Sequence, residues 1–559
     1  MVLALSNIVL NRFYCIFHQK FLYILLNKIG GRMIQNPVLR GFNPDPSIIR
    51  VNEDYYIATS TFEWFPGVQI HHSKDLINWE LIPHPLQTVK QLDLKGIPNS
   101  GGVWAPCLSY CDGVFYLLYS ISRTWTGVYK DVDNFIVTTT NIYEEWSDPI
   151  YVNSAGFDAS LFHDPTTNKK WVTCVNWDYR KNSSGNAVES FCGIILQEYD
   201  NNQQKLVGDV YNIFEGTDIG LVEAPHIYFK DGYYYLMTAE GGTLKEHAVT
   251  LCRSKSITGP YELHPQNPVL TAVDNEDLIL QRAGHASIVD TTNGDWYMAH
   301  LCGRPHKPEI RCNLGRETAL QKMCWIDDWL YLEGGGHSPK EFVVEPNNAN
   351  TKRQWQKLFV DNFEEDKLSI HFNSLRIPMT EDWVSLSKTK GKLSIKGRES
   401  LFSTFYQSTV ARRVQHFDII AQTKVTFFPE SHYHSAGLIY YYDTETHYYL
   451  RLTYDENEGL ICNILESDFT ITKIVSESVK LNSNTVSFRA EIKEKALQFY
   501  YSLNDVDFIK IGETLDATKM SDEYVGGHFT GSFVGMHACD MNQKSKWAEF
   551  DYFKYEELG

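Results

Sequence analysis

A short sequence pattern occurs five times between Asp45 and Leu301. Each copy has a polar or aromatic residue, two small or proline residues, a short apolar run, a polar turn, and a second run rich in Tyr, Trp and Leu. Two such runs joined by a turn are typical of a β-hairpin. The copies are DPSIIRVNEDYYIATS from Asp45, WAPCLSYCDGVFYLLYS from Trp104, DASLFHDPTTNKKWVTCV from Asp158, EAPHIYFKDGYYYLMTAE from Glu223 and HASIVDTTNGDWYMAHL from His285.

The spacing of the copies predicts the architecture. Their first residues are 59, 54, 65 and 62 positions apart, and a turn residue, usually glycine, aligns nine positions into four of them, at Asp54, Gly113, Gly232 and Gly294. Each interval is long enough for a four-stranded antiparallel sheet with its loops, and such sheets arranged radially form a propeller. We therefore predict an all-β protein with a five-bladed β-propeller.

Equivalent blades place the first residues of the five copies on one ring. Asp45, Trp104, Asp158, Glu223 and His285 then become neighbours, although 240 residues separate the first from the last. Structure alone gives no reason to gather three carboxylates, because their proximity raises pKa values and costs stability. The ring therefore indicates a functional site. The alternative to an enzyme is a noncatalytic propeller that only binds carbohydrate. Such a protein would need Trp104 but not the three carboxylates.

Paired carboxyl groups, one protonated and one ionised, are the groups that hydrolyse glycosidic bonds. A third carboxylate can raise the pKa of the acid by repulsion, and Trp104 offers a flat apolar face to a sugar ring. The chain lacks the motifs of three other enzyme classes: the GxxxxGK[ST] loop of nucleotide-binding enzymes, the HEXXH of zinc hydrolases and the GxSxG of serine hydrolases. The formal net charge of −18 also argues against a nucleic-acid partner.

Asp45 stands between two prolines in the stretch GFNPDPSIIR. Proline fixes its own φ and disfavours helical backbone in the residue before it, so we expect Asn43 and Asp45 in extended or turn geometry. Such a backbone would hold the Asp45 carboxylate in a fixed direction.

The pattern changes after Trp325. Residues 333–355, EGGGHSPKEFVVEPNNANTKRQW, are rich in Gly, Pro and Asn and suit a linker, while later alternating runs such as HYYLRLTY and TVSFRAEI predict an antiparallel β-sandwich. We assign residues 33–345 to the propeller, 346–355 to the linker and 356–559 to the sandwich.

Residues 1–32 are apolar but interrupted by polar residues and lack a basic start, so they match neither a signal peptide nor a membrane span. We favour a non-native extension ahead of a start at Met33, with a weak targeting segment as the alternative. The eleven cysteines form no CxxC pair and no Cys/His ligand cluster, which indicates free thiols in a reducing compartment. We expect a cytoplasmic homo-oligomer, a dimer or tetramer, without a membrane partner.

Eight motifs follow one another from about Ile34 onward: GFNPDPSI, TSTFEWFPGVQIHHSKDLINW, GGVWAP, GFDASLFHD, VEAPHIY, MTAEGGT, GHAS and LGRET. Together they resemble glycoside hydrolase family 43, and in particular its two-domain β-xylosidases. The resemblance implies a five-bladed β-propeller followed by a β-sandwich of the concanavalin or laminin-G type. The sequence departs from the family pattern at Cys107, where relatives commonly have Asp, and at Ala224, where many have Gly.

The resemblance also implies roles for single residues. Asp45 matches the general base, Glu223 the general acid, and Asp158 the carboxylate that tunes and orients the acid. Arg316, in LGRET, matches an arginine that contacts the sugar and the carboxylates. His285 matches an axial histidine that in some relatives lies beside a calcium ion or water. The residues implied to line the sugar site are Phe62, Trp104, Thr243 and, reaching across from the second domain, Phe529.

These roles imply an inverting exo-glycosidase that releases D-xylose from the nonreducing ends of short β-1,4-xylo-oligosaccharides. Xylose and arabinofuranose present similar hydroxyl groups to a shallow pocket, so α-L-arabinofuranosidase is the side activity or the main alternative. We expect no required cofactor, with calcium as the one candidate metal.

Overall fold

The structure, a computed structural model, describes residues 33–182, 187–346 and 355–558. The predicted N-terminal extension lies outside the described residues, as does most of the predicted linker. The domain boundaries drawn through these segments stay predictions.

The first part of the chain forms five antiparallel sheets of four principal strands each, which confirms the predicted propeller. A short strand, β1 (Met33–Gln35), precedes them.

Blade one has β2 (Ser47–Val51), β3 (Asp54–Thr59), β5 (Gln69–Ser73) and β6 (Glu80–Ile82), with the separate strand β4 (Trp64–Phe65) after β3. Blade two has β7 (Gly102–Cys111), β8 (Val114–Ser122), β9 (Val132–Thr139) and β10 (Ile150–Asn153). Blade three has β11 (Ser160–His163), β12 (Lys170–Trp177), β13 (Phe191–Asp200) and β14 (Lys205–Phe214). Blade four has β15 (Glu223–Lys230), β16 (Tyr233–Glu240), β17 (Ala248–Ser254) and β18 (Glu262–Leu263), and β19 (Leu270–Thr271) also pairs with β17. Blade five has β20 (Gln281–Asp290), β21 (Trp296–Gly303), β22 (Glu317–Ile326) and β23 (Trp329–Leu332).

The first strands of the blades close a ring. β2 contacts both β7 and β20, β11 contacts β7 and β15, and β15 contacts β20. Outside the ring, β1 pairs with β24 (Phe342–Val344), so the start and end of the propeller domain are joined. The residues that begin the five repeats therefore meet at the propeller axis.

The hairpin turns explain most of the repeated glycines. Residues 112–113 and 231–232 are Asp-Gly pairs with positive φ at both positions, which suits the tight turn between twisted antiparallel strands. In blade one, Val51 pairs with Asp54, so the turn is residues 52–53. Asp54 therefore begins a strand, and the alignment that made it the turn residue is wrong at this copy.

The second part of the chain is a sandwich of two antiparallel sheets, as predicted. Its strands are β25 (Leu358–Asp361), β26 (Ser374–Leu375), β27 (Val384–Ser385), β28 (Leu393–Lys396), β29 (Ser408–Arg413), β30 (Ile419–Thr426), β31 (His434–Tyr441), β32 (His447–Asp455), β33 (Gly459–Asp468), β34 (Ile471–Ile474), β35 (Val479–Lys480), β36 (Thr485–Lys493), β37 (Ala496–Ser502), β38 (Ile509–Asp516), β39 (Phe533–Asp540) and β40 (Trp547–Glu557). One sheet has the order β27-β28-β40-β30-β36-β37-β38 with β25 beside β40, and the other has the order β29-β39-β31-β32-β33-β34 with β35 beside β33.

Helices are few among the described residues. One α-helix, α1 (Asp522–Val525), and three short 3₁₀ turns occur, at Tyr179–Lys181, Ala187–Ser190 and Ala517–Lys519. In the described ranges, no helix has the length and apolar character needed to cross a bilayer. The ten cysteines of the described chain are all free thiols.

The two domains are joined by strand pairing and aromatic packing. β26 of the second domain pairs with β4, placing Ser374 opposite Phe65 and Leu375 opposite Trp64. The Trp64 ring stacks on Phe533 with 3.7 Å between ring centroids. The sandwich therefore packs directly against the propeller, next to blade one.

Candidate active site

All nine residues that the sequence analysis assigned to the site line one pocket of about 100 Å³. The pocket lies where the first strands of the blades begin, so residues far apart in the chain surround one volume. The predicted residues around it are Asp45, Phe62, Trp104, Asp158, Glu223, Thr243, His285, Arg316 and Phe529. Three residues that the sequence analysis did not select complete the lining, namely Lys130, Phe157 and Phe191.

Unusual backbone geometry presents the ring residues to this pocket. Asp45, Asp158 and His285 have φ values of 58°, 53° and 41°, in the left-handed region that residues with a side chain seldom adopt. We predicted extended or turn geometry for Asp45, and the structure shows a left-handed conformation of the kind found in turns rather than the extended one. Pro46 disfavours helical backbone in the residue before it, and residues held in sparsely populated backbone regions cluster at functional sites.

In blade four the left-handed residue is Ala224, with φ 53°, directly after the predicted acid. The strand pairing is irregular between Glu223 and His226, as expected of a bulge that redirects a side chain. Glycine adopts a left-handed backbone without a steric penalty, which gives a physical reason for glycine at this position in many relatives.

The Asp45 carboxylate is held by two donors from different parts of the propeller. Ser60 Oγ donates to Oδ2 at 2.6 Å, and Arg316 Nη1 donates to Oδ1 at 3.1 Å. His285 Nδ1 lies 3.5 Å from the same Oδ1, and burial lowers the pKa of His285. Both oxygens of the Asp45 carboxylate therefore accept a hydrogen bond, which fixes the direction of the group.

Glu223 and Asp158 form a buried carboxyl pair. Burial, with the charge of Asp45 adding to it, raises the pKa of Glu223 to about 7. Burial and repulsion from Glu223 raise the pKa of Asp158 well above its ordinary range. Two like charges buried this close disfavour ionisation of both groups at once, so a proton shared by the pair is favoured. The Ala224 backbone N–H donates to Asp158, which opposes part of the rise in the Asp158 pKa.

Three aromatic rings form a wall of the pocket. The ring centroids of Phe62, Trp104 and Phe529 lie 5.9 to 6.3 Å apart. Phe529 comes from the second domain and is fixed through its backbone, since its N–H donates to Ser100 Oγ and its carbonyl accepts from Arg316 Nη2, each at 3.0 Å. Arg316 thus connects Asp45 to the aromatic wall.

Lys130, in the loop between β8 and β9, brings a cation to the pocket. Its Nζ lies 4.6 Å from the centroid of the Trp177 ring and donates to the Trp125 carbonyl at 3.1 Å. Burial lowers the pKa of Lys130 to about 8, while the charges of Glu223 and Asp158 oppose that shift. Lys130 can therefore stabilise negative charge beside the carboxyl pair.

Comparison with known proteins agrees with this geometry. The sequence pattern of "Glycosyl hydrolases family 43" matches residues 34–330, and that of "Beta xylosidase C-terminal Concanavalin A-like domain" matches residues 360–556. The chain belongs to glycoside hydrolase family 43. The resemblance found in the motifs is confirmed, and so is the concanavalin-like type of the second domain.

Several characterised members of family 43 are similar over nearly their full length. A β-xylosidase of Bacillus subtilis is 49% identical, covering 94% of this chain and 99% of its own. A xylosidase/arabinosidase 43B of Humicola insolens is 47% identical, covering 93% and 97%. The crystal structure of a xylan β-1,4-xylosidase from Bacillus halodurans superposes with a TM-score of 0.90 at 49% identity, covering 94% of this chain and all of the other.

The residues of this family 43 enzyme that sequence reasoning missed had weak signals. Phe157 directly precedes Asp158 in GFDAS, so its position beside a ring residue was an available clue. Ser60 and Lys130 stand outside the residues that begin the repeats, and only the folded chain brings them to the carboxylates.

Proposed function

We propose that this family 43 enzyme is an inverting exo-β-xylosidase acting on the nonreducing ends of short β-1,4-xylo-oligosaccharides. The observation that carries the proposal is the convergence of Asp45, Asp158 and Glu223 in one small pocket beside three aromatic rings. A pocket of this size suits a single terminal sugar. The names of the Bacillus subtilis and Bacillus halodurans relatives support xylose as that sugar.

The reaction follows from the two kinds of carboxyl environment. Glu223 donates its proton to the glycosidic oxygen as the bond to the leaving sugar breaks. Asp45 accepts a proton from a water molecule, whose oxygen attacks the anomeric carbon from the opposite face and inverts its configuration. Ser60 and Arg316 hold the Asp45 carboxylate in position, and Asp158 holds Glu223 in place for the transfer.

Activity toward α-L-arabinofuranosides is the proposed side reaction. A relative from Bacteroides ovatus, 32% identical over 94% of this chain, carries the name non-reducing end α-L-arabinofuranosidase, and the Humicola insolens relative is named for both activities. A pocket that contacts one sugar through rings and carboxylates has few groups to distinguish these two pentoses.

Two measurements on purified enzyme test the proposal. The kcat/KM for a nitrophenyl β-xyloside should exceed that for the matched α-L-arabinofuranoside, and a higher value for the arabinofuranoside would reverse the assignment. Proton NMR in the first minutes of xylobiose hydrolysis should show α-xylose before mutarotation. Early β-xylose would show retention and would remove Asp45 from the role of base. If the purified protein hydrolysed neither substrate, the noncatalytic carbohydrate-binding propeller would be the remaining interpretation.

Calcium is the one candidate metal, and His285 is the residue beside which it would lie. A single imidazole is a poor calcium site, because calcium prefers six to eight oxygen ligands. Among the described residues, no group of three or more His, Cys, Asp or Glu is arranged to hold a metal ion. We expect EDTA to lower kcat/KM by no more than about twofold, because a site with so few oxygen ligands would hold calcium weakly. Complete loss restored by calcium would contradict this.

We also propose that the enzyme is a cytoplasmic homo-oligomer of two or four chains. Light scattering of the purified protein tests the oligomeric state, and a monomeric mass would contradict it.

A further inference from the structure

A second cavity, of about 110 Å³, lies between the propeller and the sandwich. It shares no lining residue with the catalytic pocket. The propeller contributes the side chains of Asn43, Gln69 and His71, among others, and the sandwich contributes Arg412 and Arg413 at the end of β29. The cavity is therefore a separate volume, enclosed by both domains.

The two arginines bring buried charge to this cavity without a carboxylate partner. Each is only 5% exposed. Arg413 donates to the carbonyl of Phe42 at 2.8 Å and to Asn373 Oδ1 at 2.7 Å, while Arg412 donates to Gln415 Oε1 at 2.8 Å. In the described chain, Nε and Nη1 of Arg412 and Nη2 of Arg413 have no hydrogen-bond partner. A buried, unpaired guanidinium charge is costly, so a counter-charge is expected.

Neighbouring groups do not supply that counter-charge. Arg412 lies 4.2 Å from the centroid of the Tyr555 ring, but an aromatic ring carries no net charge. His71 is neutral at pH 7, because burial and the nearby arginine lower its pKa to about 3. Glu557 lies 3.7 Å from Arg40, which also lines the cavity, and 3.4 Å from His416, so it is already paired.

The remaining parts of the chain offer no carboxylate side chain either. Residues 1–32, 183–186, 347–354 and 559, which lie outside the described ranges, contain no Asp and no Glu. The partner of Arg412 and Arg413 is therefore expected to come from solution.

We propose that the cavity binds one small tetrahedral oxyanion of the phosphate or sulfate class between Arg412 and Arg413. Guanidinium groups form strong charge-assisted hydrogen bonds with such oxygens, and the cavity is larger than a single water needs. Because residues of both domains line the cavity, the bound anion fastens the sandwich to the propeller.

Isothermal titration of the full chain with inorganic phosphate, at neutral pH and constant ionic strength, tests the site. One saturable site per chain is expected. Arg412→Met and Arg413→Met should each weaken binding by at least about tenfold, because each removes a charged donor. Arg398→Met is the matched control, since Arg398 is a partly buried guanidinium of the same sandwich that does not line the cavity, and it should leave binding unchanged.

Further arms keep the test decisive if the methionine variants do not fold. Arg412→Lys and Arg413→Lys keep the charge but lose guanidinium donors, and should weaken binding several-fold. Sulfate should displace phosphate, whereas chloride should not. Saturating xylose should not compete, because the catalytic pocket is separate. Absence of saturable binding to the wild type, equal binding in every arginine variant, or displacement by xylose would each overturn the proposal.

Discussion

Asp45 and Glu223 are both buried carboxyl groups, yet their surroundings differ. Asp45 accepts hydrogen bonds from Ser60 and Arg316, which fix the direction of its carboxylate. Glu223 has its pKa raised to about 7, first by burial and then by the charge of Asp45. The proposed roles of base and acid therefore rest on the environment of each group rather than on its residue type.

Replacing the acid should affect substrates according to their leaving groups. Proton donation matters most for a basic alcohol, so Glu223→Ala should lower kcat/KM for xylobiose by about 10²–10⁴-fold, and far less for a dinitrophenyl xyloside. Asp45→Ala removes water activation, which both substrates need, and should lower both values by similar factors. Equal losses on the two substrates for Glu223→Ala would exclude it as the acid.

The pH profile should move in opposite directions in two further variants. Glu223 must be protonated to act, so kcat/KM of the wild type should fall as the pH rises through about 7. Asp158→Asn removes a neighbouring negative charge, so the pKa of Glu223 and the alkaline limb should shift down. Lys130→Met removes a positive charge that lowers the pKa of Glu223, so the limb should shift up. If the alkaline limbs of the kcat/KM profiles of both variants moved in the same direction, the opposite effects assigned to Asp158 and Lys130 would be contradicted.

The repeated hairpins show which parts of the fold a sequence reveals. Each hairpin is a local pattern of alternating runs and turns, so five blades and a common ring could be predicted from the chain alone. The turn of blade one was misplaced, because residues 52–53, Asn-Glu, carry no glycine signal. Lys130 was missed because its contacts with aromatic rings are tertiary, and the left-handed φ of Asp45 was missed because local rules for proline ignore its distant partners.

The segment that follows α1 supplies a wall of the pocket, so its ring should affect binding more than chemistry. Phe529→Ala removes the ring but keeps the backbone contacts with Ser100 and Arg316. We expect KM for xylobiose to rise about tenfold, from lost apolar contact, with a smaller change in kcat. Phe405→Ala, at a half-exposed ring away from the pocket lining, is the control and should leave both constants unchanged. A fall in kcat alone would contradict a role in binding.

The catalytic pocket is lined by residues of both domains, which approach each other closely at this point. A Cβ atom on Gly315 would lie 2.7 Å from the Cα of Gly531, so the LGRET loop and the Phe529 segment are in direct backbone contact. That contact places Arg316 between Asp45 and Phe529. The sandwich therefore acts as part of the catalytic site rather than as an appended module.

A buried ion pair across this interface gives the sharpest test of that coupling. Arg282 of β20 donates to Asp522 at 2.9 Å and to Glu523 at 2.7 Å, both in α1, and its side chain is 4% exposed. Arg282→Met would leave two carboxylates without their cation, which costs about 3–5 kcal/mol when such a pair is buried. Because α1 ends four residues before Phe529, the variant should show both a lower Tm and a higher KM for xylobiose. Arg180→Met, which removes an exposed arginine paired with Asp178 far from this interface, is the control and should change neither. A lower Tm with an unchanged KM would show that the interface stabilises the fold without shaping the pocket.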